Sequence, residues 1–128
     1  MFQNLEIFQM SSAMARHAGA RQALISENIA NSDTPGYKSK DLNNFKEFFS
    51  GDLSGMQKAT RDSHLHGSIL SRHSPEIIQI RGSNSPNGNS VSIEGEMLKA
   101  AETNKQHDRS LAIYKSAMKI LRFSLGKV

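Results

Sequence analysis

Residues 3–31 repeat apolar and small side chains at a three-four spacing. Phe8, Ser11, Ala15, Ala18, Gln22, Ile25 and Ile29 form one row, and Met10, Met14, His17, Arg21, Leu24, Asn28 and Asn31 form the row beside it. Six alanines and no proline favour helix over this stretch. Small residues dominate the middle of the first row, which lets a second helix come close. The helix must stop before Pro35, because proline disfavours the α conformation at Thr34. Asn31 suits a left-handed cap and Asp33 the turn that follows. Thr34-Pro35-Gly36-Tyr37 reads as a type II turn, with proline second and glycine third.

A second periodic stretch covers residues 92–126. Ser92 is a natural N-cap, with Glu94 and Glu96 in the first turns. Met97, Asn104, Leu111, Met118 and Leu125 recur every seven residues, and Ala100, His107, Tyr114 and Leu121 fill the alternate positions. That spacing predicts a coiled-coil seam, with polar Asn104 and His107 setting its register and Gly126 ending the helix.

The stretch between, 38–91, is polar and broken. Leu42, Phe45, Phe48 and Phe49 suit one short helical turn or an apolar tab. Residues 76–81 (Glu-Ile-Ile-Gln-Ile-Arg) are the best strand candidate. Nine of the ten residues 83–92 are Ser, Asn, Pro or Gly, the composition of a flexible loop. The chain thus divides into 1–37, 38–91 and 92–128. The expected fold is mainly α: two long terminal helices in an elongated coiled-coil-like hairpin, with a short irregular or β middle. The hairpin should close by packing Met97, Leu111, Met118 and Leu125, with Ala100, Tyr114 and Leu121, against Phe8, Ala15, Ala18, Ile25 and Ile29. Helices of about 40 and 50 Å would overhang a compact ball of this length, about 36 Å across. Lateral cover by neighbouring chains is the expected remedy.

Composition agrees. At 128 residues the chain has room for one domain. Leu, Ile, Val and Phe number 28, which is close to the level where chains stay disordered. There is no tryptophan, so the core is modest or completed by neighbours. The absence of cysteine excludes a disulfide scaffold, thiolate metal sites and a Cys nucleophile. No apolar run reaches membrane-spanning length, and the N-terminal residues do not read as a secretory signal. The net charge is +4, and from Arg109 onward there are five basic residues (Arg109, Lys115, Lys119, Arg122, Lys127) and no acid. Those cations suit a helix C-terminus. The alternative they raise is a small basic coiled coil that binds nucleic acid or anionic membrane.

Little in the sequence points to chemistry. His64 and His66 fall on one side of an extended segment, with His73 nearby, but no carboxylate array accompanies them as metal ligands. Glu94 and Glu96 read as helix-start carboxylates rather than an acid/base pair. Neither a Gly-x-Ser-x-Gly elbow nor a phosphate-cradling glycine loop occurs. The expectation is a non-enzyme, with no catalytic residue, metal or cofactor.

The specific signal is Asn28-Ile29-Ala30-Asn31-Ser32-Asp33-Thr34-Pro35-Gly36-Tyr37-Lys38, followed by Lys40-Asp41-Leu42. A helix stop and tight turn account for Asn31, Pro35 and Gly36, but not for Asn28, Ala30, Thr34, Tyr37 and Lys38 together. The run resembles the signature of bacterial flagellar rod, hook and hook-associated proteins, and the short chain fits the proximal-rod branch. The resemblance implies a structural rod subunit of the periplasmic basal body. It also implies export through the flagellar type III apparatus; the incompletely covered apolar rows lead us to expect folding on assembly. The implied partners are further copies of itself, rod subunits of the FlgC and FlgF type, the adaptor FliE and the export machinery, with no nucleic acid and no direct membrane span. Tyr37 and Lys38 are expected at an intersubunit contact, where the turn leads the chain toward a neighbour.

Overall fold

A computed structural model describes residues 2–51, 75–80 and 86–126. Helix α1 spans Phe2–Ala30, strand β1 Lys40–Leu42, helix α2 Phe45–Gly51, strand β2 Ile77–Gln79, and helix α3 Ile93–Ser124. The long helices lie antiparallel: Phe8 meets Tyr114, and Asn28 meets Glu96. At 1.5 Å per residue they are about 43 and 48 Å long. The mainly helical hairpin with a small β middle is the fold expected from the periodicity.

Local chemistry sets the boundaries. The Ser92 side chain caps α3 by accepting from the Gly95 amide at 3.3 Å. Gly126, at φ +66°, follows the last turn. After α1, the Tyr37 amide donates to the Thr34 carbonyl at 3.3 Å and Gly36 sits at φ +73°, as a type II turn requires. Asn31 differs from expectation. No described non-glycine residue adopts positive φ. Instead the Asn31 side chain donates to the Glu27 carbonyl (2.8 Å) and accepts from the Thr34 hydroxyl (3.3 Å), ending the helix through hydrogen bonds that need no left-handed backbone.

The packing of α3 corrects the expected seam. Its buried residues are Glu96, Thr103, Ser110 and Ala117, again every seven residues but one position before the apolar row. One residue is about 100° around a helix. Met97 (65% exposed), Leu111 (40%), Tyr114 (43%) and Leu125 (74%) are therefore swung to the side, and Asn104 and His107 are exposed with them. Met118, Leu121 and Ala100 are only partly covered. Opposite, α1 buries Ser11, Ala18 and Ile25 at the same interval, while Phe8 and Ala15 are half-buried and Ile29 is 37% exposed. Small side chains occupy the true seam because they allow the two backbones to approach; the large ones flank it.

Strands β1 and β2 form a two-stranded antiparallel sheet with Lys40 opposite Gln79, Asp41 opposite Ile78 and Leu42 opposite Ile77. β1 lies on α1 and is largely buried, and β2 is its exposed outer partner. α2 stacks Phe45, Phe48 and Phe49 together, with Phe45 and Phe48 against His17. Ile25 and Leu42 are the only large aliphatic residues buried among the described residues.

Candidate assembly site: a polar junction and an open face

The signature residues build a polar junction where α1 ends. Asn28, fully buried, presents its amide to the strand that returns from the turn. Its Nδ2 donates to the Lys40 carbonyl (2.7 Å), and its Oδ1 accepts from the Lys40 amide (3.0 Å). The side chain thus pairs with β1 as a neighbouring strand would. Nδ2 also donates to Glu96 Oε2 (3.0 Å), tying α1 to α3, and the Tyr37 hydroxyl lies 3.3 Å from Oδ1. Glu96, 2% exposed, also accepts from Lys99 Nζ at 2.7 Å. A buried carboxylate persists only with such partners.

The next layer is ionic. Arg21 grips Asp41 in a two-pronged pair, Nε to Oδ1 at 2.7 Å and Nη2 to Oδ2 at 2.9 Å, and the Leu42 amide also donates to Oδ1 (2.8 Å). Burial pushes the Asp41 carboxyl up, but Arg21, the Leu42 amide and Lys99 outweigh it and hold it below its ordinary value. Hydrogen bonding to Asp41 raises Arg21 in turn. His17 Nε2 lies 2.9 Å from the Asn43 carbonyl. A carbonyl only accepts, so Nε2 carries the proton and Nδ1, which has no partner, is bare. Burial holds this imidazole below its usual pKa, with the Asn43 carbonyl pulling the other way.

A strap of residues 86–92 closes the junction from outside. The Asn89 Nδ2 amide lies 2.6–3.0 Å from the carbonyls of Asn31, Ser32 and Thr34, in the turns that follow the helix. The Gly36 amide donates to the Asn87 carbonyl, Lys38 Nζ to the Gly88 carbonyl, the Ser90 amide to the Tyr37 carbonyl and the Ser39 amide to Ser90 Oγ. The expected flexible loop is therefore anchored over these residues. The turn also folds the chain back along its own helix instead of leading it outward, and Tyr37 and Lys38 make contacts within the chain. Thr34, Pro35 and Ala30 are exposed at the junction's rim.

Along one side of the hairpin runs an open face. α1 contributes Phe8, Ser12, Ala15, Gly19, Gln22, Ser26 and Ile29. α3 contributes Ile93, Met97, Ala100, Asn104, His107, Leu111, Tyr114, Met118, Leu121 and Leu125. None carries a formal charge, in a chain where 22% of residues are charged. The Phe8 and Tyr114 rings meet edge to face at 5.2 Å across it. At mid-length lies a groove of about 350 Å³ lined by Gly19, Gln22, Ala23, Ser26, Thr103 and His107, among others. Arg109, Lys115, Lys119 and Arg122 are exposed; Lys115 and Arg122 stand one turn after Leu111 and Met118 and border the face, whereas the spacing of Arg109 and Lys119 puts them on other sides of α3.

The open face uses the two α3 rows that periodicity singled out, placed beside the seam rather than in it, whereas the α1 row is divided, with Ser11, Ala18 and Ile25 in the seam and Phe8, Ala15, Gln22 and Ile29 toward the face. Arg21, Asp41, Asn89 and Glu96 were missed as junction members. Glu96 looks like any first-turn acid, and Asn89 sits in a run that composition alone marks as loop. His64, His66 and His73 lie outside the described residues. Among the described residues no group of His, Asp and Glu could hold a metal ion, and no helix is long and apolar enough to cross a membrane.

Residues 10–38 match the family described as "Flagella basal body rod protein". Across 98% of the chain, it is 30% identical to the flagellar basal body rod protein FlgB of Agrobacterium fabrum, covering 96% of that protein. FlgB of Buchnera aphidicola is 28% identical, with 94% of each chain covered. FlgB of Escherichia coli is 27% identical over 77% of this chain and 78% of that one.

Proposed function

The chain belongs to the flagellar basal body rod protein family, and from that premise we propose that it is the FlgB-type subunit of the proximal rod, held in the periplasmic basal body through its terminal helices. The observation that carries the assembly reading is the uncharged open face. Interface cores are depleted of charge, and this face gathers exposed large apolar groups (Met97, Leu111, Tyr114, Leu125) with uncharged polar ones between them.

Folding is completed on assembly. Large apolar side chains flank the seam instead of filling it, so the energy that fixes the hairpin comes mainly from neighbouring subunits. A chain with so small an apolar core is also easily unfolded for passage through the flagellar type III apparatus. Its neighbours in the rod are further copies of itself, subunits of the FlgC and FlgF type and the adaptor FliE. The face itself offers no cation to nucleic acid or anionic lipid; Lys115 and Arg122 lie along its border.

Two measurements test this reading. Deleting the gene in the source bacterium should abolish swimming and remove the rod from purified basal bodies, and the wild-type gene should restore both. Hydrogen exchange on the isolated chain at micromolar concentration should show weak protection along the outer half of both helices. Strong protection throughout would sink folding on assembly, and a motile deletion strain would sink the rod assignment.

A further inference from the structure

We propose that α2 is a pH-released arm: it lies shut on α1 while the His17 imidazole is neutral, and uptake of a proton at Nδ1 lifts it off and bares Phe45, Phe48 and Phe49. The device belongs to the fold of the single chain and stands apart from the rod assignment.

α2 is seated on α1 largely through one ring. The His17 imidazole is 4% exposed and is gripped on two sides. Its Nε2 donates to the carbonyl of Asn43, in the link between β1 and α2, at 2.9 Å. Phe45 and Phe48 lie against it, with ring centroids at 5.6 and 5.8 Å. Phe45 also meets Phe49, and the spacing of the three puts them on one side of the short helix. Ala13, one turn before His17 and farther round α1 from the seam with α3, is buried on this side too.

This seat fits a neutral imidazole only. Nδ1 is buried and has no hydrogen-bond partner among the described residues. A bare nitrogen tolerates that surrounding. An N–H needs an acceptor, and the phenyl rings offer π-electrons but no lone pair. The charges nearby do not rescue the cation. On α1, Arg21 stands one turn on and opposes a second positive group. On β1, Asp41 favours one, but it is engaged by both prongs of Arg21 and by Lys99 of α3 at 3.7 Å. On α2, Lys46 and Glu47 are exposed and fall outside the side that the three rings share. Burial, with Arg21, outweighs the Asn43 carbonyl and Asp41 and holds the imidazole below its ordinary 6.5. The proton is therefore taken up in full only when the ring meets water, which breaks the Asn43 bond and parts the rings.

The opening stays local because the rest of the junction lacks the trigger. Asp41 is held below 3.8 and Arg21 above its ordinary value, so their pair keeps both charges through weakly acidic pH. Asn28 holds Lys40 through uncharged groups. The Asn43 amide donates to the Glu76 carbonyl at 3.4 Å, which anchors the end of the strand and puts the hinge at Asn43-Asn44. By linkage, an arm that excludes the proton when shut opens about tenfold more readily for each pH unit below 6.5. Between pH 7.5 and 4.5 the ceiling is about a hundredfold.

Amide hydrogen exchange on the full chain, read by NMR as protection factors, tests this. From pH 7.5 to 4.5 the Phe48 and Phe49 amides should lose protection at least fivefold and up to about a hundredfold. The Lys40 amide, bonded to Asn28 Oδ1 at 3.0 Å, should change less than twofold. The His17 ring signals should titrate below 6.5, in step with the loss in α2. His17→Gln keeps an N–H for the Asn43 carbonyl and cannot titrate, so its α2 protection should be level across the range. A smaller loss in the parent chain, or the same loss in the glutamine variant, would overturn the arm. A parallel loss at Lys40 would too, since it marks general unfolding. If the variant leaves α2 unprotected at both pH values, the parent decides: a His17 titration at or above 6.5, or out of step with α2, overturns the proposal.

Discussion

The two ends of the hairpin are stabilised on opposite principles. At the turn end, buried polar groups are nearly all partnered: Asn28, Asp41, Glu96 and Asn89 each make several hydrogen bonds, and together they fix the strand, the turn and both helices in one register. Toward the free end, the seam is Ser11 and Ala18 against Ser110 and Ala117, with the large apolar groups left outside. Directional bonds specify where the parts sit, and they do so within one chain. Apolar area supplies free energy, and here much of it is still exposed. The first end is finished by its own sequence; on the proposed assembly the second is completed by a neighbour.

The sharpest way to break this contrast is Asn28→Ala. It removes four hydrogen bonds and strands the Lys40 amide and carbonyl in a buried site. The expected loss is about 3–5 kcal/mol, read by urea unfolding of the isolated chain. A loss below about 1 kcal/mol would show that the junction is not what holds the turn end.

Asp41→Asn is next, at about 2 kcal/mol, below the roughly 3–5 kcal/mol of breaking a fully buried pair because Arg21 retains some solvent. It carries a pH signature. Asp41 sits below its ordinary 3.8 in the folded chain, so its contribution is complete above that pH and is lost as pH falls through the lower folded value. His17, held below 6.5, likewise favours the fold above pH 6.5 and withdraws support as the solution is acidified past it. Melting temperature against pH should therefore fall in two steps, and Asp41→Asn should remove the more acidic one while keeping the other.

What the sequence disclosed follows the same division. Helix limits, the type II turn and the Ser92 cap were legible because backbone chemistry at Pro35, Gly36 and Ser92 is local. The apolar rows were legible too, but their placement was not. A heptad of large residues in α3 predicts a seam, and nothing within that helix reveals that Ser110 and Ala117 occupy it instead. That choice depends on how closely α1 approaches, which its own Ser11 and Ala18 decide. The junction was illegible for a related reason. Asn28, Asp41 and Glu96 acquire meaning only when residues up to 68 positions apart meet.

Gly36→Ala probes the turn alone. At φ +73°, with no heavy atom within 4 Å of the position a Cβ would take, the substitution strains the backbone without a clash. About 1–2 kcal/mol is expected, seen as a lower urea midpoint with an unchanged slope. A neutral result would mean the strap of residues 86–92 yields to accommodate a relaxed turn.

Leu111→Asp should have the smallest effect on the isolated chain and the largest in the cell. Leu111 is 40% exposed on the open face. Trading it for a charge in the free subunit stays within about 0.5 kcal/mol, as surface changes do. In the rod the same carboxylate would be driven into an interface core, where pairing with Lys115 one turn on does not offset the loss of water around both charges. Unfolding of the purified variant should match the parent while swimming and rod incorporation are lost. Leu121→Asp, half-covered beside the seam, should behave alike with a somewhat lower midpoint. If Leu111→Asp unfolded the free chain, the face would already be serving its own subunit. If the variant swam normally, the face would serve no subunit, and the unfinished end would have to be explained without a neighbour.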